Sequence, residues 1–364
     1  MSRDYNIDKI KALAIIFVIS IHSLFHIGYY ESSMSGVSMM ILSILRTYWV
    51  TCVPLFLIAT GWLQGDKLPN KRHYVGLVKV LVVYLISGVF CQAFVISMNL
   101  SKGVHPDILN IICSFTNFTA APYGWYVGMF IGLYLLIPFI NIIWHHITRN
   151  QKYLFLASLF VLTILPNTLN SFDFNEVLIF SSTKDSYTII ADSFWVQLYP
   201  LTYYCFGLYF RDNKDHLNNT GIGVIRIMGG VILLTTFLGI YNYLRYNDTF
   251  GWSLDVSYGG LQPFLVSLSL ILLITTAQSN TKRHWLVRKV IEYLSKNTLP
   301  IYLLSYVTDA ILYHCVDRIY PYSSYWIIVI TVPISILMAS AIAYPTIQLS
   351  TTVSRSIINI IENK

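Results

Sequence analysis

Apolar runs close to twenty residues long recur along this chain from end to end, and their recurrence constrains the fold more than any other feature. About twenty residues of α-helix cross the roughly 30 Å hydrocarbon core of a bilayer. Ten such runs are read, at about 8–29, 38–64, 76–99, 122–144, 153–169, 194–211, 222–244, 261–279, 291–315 and 325–349. Inside lipid a segment must satisfy its own backbone hydrogen bonds, so the runs predict helices and an all-α polytopic transmembrane bundle. Composition agrees, with 55% of the 364 residues hydrophobic and 11% charged, against about 25% charged in a soluble domain. In such a chain the excess of 24 Lys and Arg over 17 Asp and Glu reports loop asymmetry rather than nucleic-acid binding.

Alternate loops separate by charge. One side holds Arg3, Lys9, Lys11, Lys67, Lys71, Arg72, Arg149, Lys152, Arg211, Lys214, Lys282, Arg283, Arg288, Lys289, Arg355 and Lys364. The other holds Arg46, Lys102, Lys184, Arg245 and Arg318. Positive charge collects on the cytoplasmic side, which places both termini in the cytoplasm, as an even number of spans allows. The first run has the basic flank of a signal peptide but no small-residue cleavage pattern, so it is expected to stay as the first span. A membrane domain over 1–350 is expected, followed by a short interfacial helix over 351–364. The seventh run should be broken at Gly229-Gly230 and Gly239, whereas Pro333 and Pro345 in the tenth are tolerated in a bundle. The longest outward loop is about 170–193, and the outward loops 100–121 and 245–260 carry aromatic and polar residues that suit carbohydrate or interfacial anchoring. Cys52, Cys91, Cys113, Cys205 and Cys315 form no C-x-x-C pair and read as small buried hydrophobes, so no metal is expected.

The first run carries a lysine near its start and a histidine in its middle. Lys11 and His22 are 11 residues apart, close to three helical turns, which puts them on one face about 16 Å apart along the axis. An ionisable group near the bilayer middle is costly and marks a candidate functional site. An imidazole can act as general base near neutral pH, a role suited to removing a proton from a sugar hydroxyl. His26, one turn further, shares the face. Asp309 and His314, toward the outer end of the ninth run, are further candidates for lining a cavity.

The order Asp8-x-x-Lys11, ten residues, His22 resembles the first-helix signature of the acyltransferase-3 family of integral membrane O-acyltransferases, an arginine, ten residues and a histidine. Lys11 stands where that family usually has arginine, which keeps the charge but loses the bidentate fork. Val53-Pro54-Leu55-Phe56 through Thr60-Gly61-Trp62 is similar to the second-helix "vPlFf..SG" element. Lys71, Arg72 and Lys79 lead into the third run where the family shows R-x-x-R; Lys79 fits the second position and Gly76 occupies the first. Gly124-Trp125-Tyr126-Val127 through Tyr134-Leu135-Leu136-Ile137-Pro138 resembles "WfL…lYl..P", and Tyr203-Tyr204-Cys205-Phe206-Gly207 resembles "yfl.G". Ser295 through Pro300-Ile301-Tyr302-Leu303 looks like "S…iYl.H", with Ser305 in place of the histidine.

The resemblance implies acyl transfer, usually of acetyl from cytoplasmic acetyl-CoA to a hydroxyl of a surface polysaccharide or its lipid-linked precursor, in a bacterial inner membrane. It implies His22 as catalytic base, Lys11, Arg72 and Lys79 as contacts to the CoA phosphates, and His26, Trp125, Tyr126, Tyr134 and Asp309 on the acceptor side. Many members add a periplasmic SGNH-type domain; this chain is expected to work as a membrane domain without one. The competing expectation is a proton-coupled transporter or exporter of a sugar, lipid or acyl compound with His22 as proton relay. Oligomeric state and the identity of the sugar are left open by the sequence.

Overall fold

The computed structural model describes residues 3–172, 189–215, 223–246, 248–251, 253–277, 285–319 and 325–362. Among these the architecture is all-α, with one isolated antiparallel bridge, Ser33 to Thr249. The helices are α1 Tyr5–His26, α2 Gly36–Trp49, α3 Cys52–Gln64, α4 Lys71–Ser101, α5 Ile108–Thr116, α6 Trp125–His146, α7 Arg149–Thr163, α8 Leu165–Leu169, α9 Tyr199–Asp212, α10 Val224–Arg245, α11 Leu261–Thr276, α12 Trp285–Lys296, α13 Thr298–Ile319 and α14 Ile328–Glu362. Eight helical stretches among the described residues are long and apolar enough to cross a membrane, from Gly36–Gln64 to Tyr325–Glu362. The expected runs at 8–29 and 194–211 are the helices α1 and α9, outside those eight.

Three of the runs read as single spans are each two helices, with a proline just past each break. Pro54, Pro166 and Pro300 lie in the first turn of α3, α8 and α13. None has an N–H to give to the carbonyl four residues back, so the preceding helix cannot run through unchanged. Pro138, Pro333 and Pro345 sit inside α6 and α14, which continue past them. The seventh run departs from expectation. Helix α10 runs unbroken through Gly229, Gly230 and Gly239, because a helical glycine costs only about 1 kcal/mol relative to alanine. At Gly239 the missing side chain admits the backbone of Ile44, and Ser43 Oγ donates to the Gly239 carbonyl at 2.9 Å. Residues 351–362 prolong α14 without interruption. Of the expected 170–193 loop, residues 173–188 lie outside the described residues, as do Lys282 and Arg283.

The chain divides into two compact units, Met1–Gly65 with Ile147–Ser295, and Asp66–His146 with Lys296–Lys364. In the first, α3 packs on α9 and α1, and α2 packs on α10. Helix α1 is enclosed over most of its circumference, as Ile10, Ala14, Ile15, Ile19 and Leu24 are all fully buried. In the second, α4, α13 and α14 pack against one another, and α4 also meets α5 and α6.

Candidate active site

In the first unit the site candidates ride on α1. Asp4 caps it, accepting from Asn6 N at 3.0 Å. Ser20 and Ser23 return their hydroxyls to the Ile16 and Ile19 carbonyls at 2.9 and 2.8 Å, so they add no uncompensated polarity to the helix. With the helix unbroken from Tyr5 to His26, Lys11 and His22 do share a face about 16 Å apart. Lys11 is half-buried, His22 is 8% exposed, and His26 is the half-buried last residue of the helix.

Beyond His26 the chain turns through Gly28, whose φ of 69° suits a residue without a Cβ. It is then pinned to the loop after α10 by the Ser33–Thr249 bridge and by Met34 N donating to Asp248 O at 2.6 Å. Arg46 on α2, counted above among the outward charges, is buried beneath this crossing. Its guanidinium lies 4.1 Å from the Phe250 ring centre, and its Nε donates to the Tyr30 hydroxyl at 3.2 Å. The end of the unit beyond His22 is thus covered by aromatic rings around an enclosed cation.

The second unit holds the remaining candidates. Arg72 and Lys79 are exposed on α4, seven residues apart and therefore two turns along one side. Trp125 is exposed and Tyr126 half-buried at the start of α6, where Tyr126 meets the Tyr302 ring edge-on at 6.1 Å. Asp309 on α13 is fully buried, accepting from Ser335 Oγ at 2.5 Å, with the Tyr123 hydroxyl 3.5 Å from its other oxygen. Tyr134 is joined to Tyr126 through Phe130, with ring centres 6.0 and 5.8 Å apart. It is buried against His73, ring stacked on ring at 4.2 Å.

Several stretches that look separate in sequence prove to be halves of one contact. Gly61, from the second-helix stretch, faces Gly207, from the Tyr203–Gly207 stretch: a Cβ on Gly61 would overlap the Tyr204 carbonyl oxygen, and one on Gly207 the Ile58 carbonyl oxygen. Asp8 of the first-helix stretch binds Arg3 and accepts from Ser295 Oγ at 2.6 Å, the residue that opens the last stretch. Within the first unit, then, four of the stretches carrying the resemblance meet in two pairs.

The chain matches the family described as an acyltransferase domain over residues 4–344. It belongs to the acyltransferase-3 family. No curated protein and no solved structure matches it. It is accordingly a multi-pass membrane O-acyltransferase.

One buried cluster of this acyltransferase escaped the sequence reading. Arg245, at the end of α10, pairs with Asp255 at 3.0 Å, both enclosed. It also donates to the Ser171 carbonyl. Asp255 accepts from Ser253 Oγ at 2.5 Å and Gln262 Nε2 at 2.8 Å, and Gln262 exchanges hydrogen bonds with Asn242. Opposite charges ten residues apart across a loop were the only signal, and spacing in a loop does not fix distance. Among the described residues no group of three or more His, Cys, Asp or Glu is placed to hold a metal ion.

Proposed function

We propose that this acyltransferase moves an acetyl group from cytoplasmic acetyl-CoA to a hydroxyl of a surface polysaccharide or its lipid-linked precursor, in the inner membrane of a bacterium. The observation that carries the reading is the single unbroken helix that holds Lys11 and His22 on one face. CoA presents phosphates at one end and a thioester at the tip of a long thin arm, on the order of the 16 Å rise between the two side chains. Lys11 meets a phosphate as a charge-assisted contact, and Arg72 and Lys79 supply further cations. His22 takes the proton from the acceptor hydroxyl as its oxygen attacks the thioester carbonyl. The tetrahedral intermediate collapses, the C–S bond breaks, and the imidazolium returns its proton to the departing CoA thiolate. His26, Trp125, Tyr126, Tyr134 and Asp309 are assigned to the acceptor, with aromatic faces and a buried carboxyl suited to a sugar; Tyr134, stacked on His73, would act there only indirectly.

The test is transfer of labelled acetyl from acetyl-CoA to glycan by purified protein with no ion gradient, a condition under which a proton-coupled exporter does nothing. His22→Ala should lower kcat by at least about a hundredfold, the usual worth of a positioned base, with abundance unchanged. Retained transfer in that variant would remove His22 from the mechanism. Lys11→Ala should raise the KM for acetyl-CoA about tenfold with kcat little changed, and Lys11→Arg should keep both near wild type. A Lys11→Ala variant with unaltered KM would end the anchoring role.

A further inference from the structure

Helix α6 contains Pro138, and a proline in a helix has no N–H for the carbonyl four residues earlier. That carbonyl belongs to Tyr134. In lipid a bare carbonyl costs several kcal/mol, so it needs another donor. The donor comes from a different helix: His73 Nε2, in the first turn of α4, lies 3.0 Å from the Tyr134 oxygen. Because a carbonyl only accepts, Nε2 carries the proton.

Three further contacts make this a lock. The His73 and Tyr134 rings stack at 4.2 Å with their planes 11° apart. The Tyr134 hydroxyl donates back to the His73 carbonyl at 2.9 Å. A Cβ on Gly76, one turn along α4, would lie 2.5 Å from that hydroxyl, so a larger residue there would push the tyrosine ring off the helix. Asn70 holds the same turn from the other end, accepting from His73 N at 2.9 Å. His73 itself is 4% exposed. A helix tied at this many points cannot rotate about its axis, and its rotation decides where Arg72 and Lys79 point.

We propose that His73 is a positioning residue for the acyl donor. By capping the carbonyl that Pro138 orphans, it fixes the rotation of α4 and with it the aim of Arg72 and Lys79. The assignment rests on the acetyl-CoA reading above. It also gives Gly76 a reason: the place of a cation in the R-x-x-R pattern is taken by the Tyr134 hydroxyl.

A double-mutant cycle on the purified full chain, reading the KM and kcat for acetyl-CoA, tests it. His73→Ala should raise KM about tenfold, the worth of one good hydrogen bond, while kcat stays within about twofold. His73→Gln, whose amide N–H reaches the place of Nε2, should restore KM. Pro138→Ala removes the ring that pushes the Tyr134 carbonyl out of line and gives it a partner within α6, so the carbonyl turns back to the helix axis away from His73 and KM should rise to a similar extent. The two changes act on one bond, so the double variant should be no worse than either alone, where independent changes would multiply to about a hundredfold. A multiplicative double variant, a fall in kcat at unchanged KM, or a glutamine that fails to rescue would each overturn the assignment. Should His73→Ala not fold, the glutamine and Pro138→Ala variants decide it. Wild-type protein without affinity for acetyl-CoA would sink the donor reading itself, an outcome distinct from wild-type binding that His73→Ala leaves unchanged.

Discussion

Arg245 and Asp255 form an enclosed ion pair, with Ser171, Ser253 and Gln262 as further hydrogen-bond partners. Removing one member of such a pair leaves a buried charge without its counter-charge, at a cost of about 3–5 kcal/mol. Asp255→Ala should therefore lower the thermal unfolding midpoint in detergent by many degrees while leaving KM for acetyl-CoA unaltered at low temperature. An unchanged midpoint would show that the pair contributes nothing net. The contrast with Lys11 and His22 explains what could be read from single residues. Their alignment needs only the period of one helix, and α1 is continuous. The partners of Arg245 and of His73 lie across a loop and on another helix, where sequence spacing carries no distance.

At the scale of elements, prolines and glycines do most of the arranging. The breaks after Trp49, Thr163 and Lys296 fall just before Pro54, Pro166 and Pro300, but α6 and α14 continue past Pro138, Pro333 and Pro345, so a missing N–H marks a candidate break without fixing one. Glycine was harder to read, because the same residue can loosen a helix or bring two together, and only the partner tells which. Gly61 and Gly207 face each other across α3 and α9, with a backbone carbonyl where each Cβ would go. Neither backbone can give way as a flexible side chain would, so Gly61→Ala and Gly207→Ala should each destabilise by about 1–3 kcal/mol. Gly230 in α10 has nothing within 4 Å of an added Cβ. Gly230→Ala should instead stabilise by about 0.5–1 kcal/mol, through the entropy alanine does not lose. Thermal midpoints of the three variants, compared in one detergent, check the difference in sign.

For the molecule as a whole, the question that governs the proposed chemistry is which side of the membrane each loop occupies, since acetyl-CoA, the proposed donor, is made in the cytoplasm. The sequence-level asymmetry counts Arg46 and Arg245 against the cytoplasmic assignment as outward charges. Both are in fact 2% exposed, one beneath Phe250 and Tyr30, the other paired with Asp255. They are interior residues, and the positive-inside rule concerns charges that loops present to water. Among the described outward positions that leaves Lys102, exposed beside the turn at Gly103, and Arg318 in the last turn of α13. The opposite side keeps Arg3, Lys71, Arg72, Arg149, Arg288, Lys289 and Arg355 at helix ends. The corrected asymmetry is steeper than the raw one, and it predicts that a reporter active only in the cytoplasm works when joined after Lys364. A reporter active only after export should work when inserted at Gly103, an exposed turn with φ of 77° that tolerates insertion. The opposite pair of results would put Lys11 on the side away from acetyl-CoA. No choice of general base could then rescue a donor path that runs from Lys11 to His22.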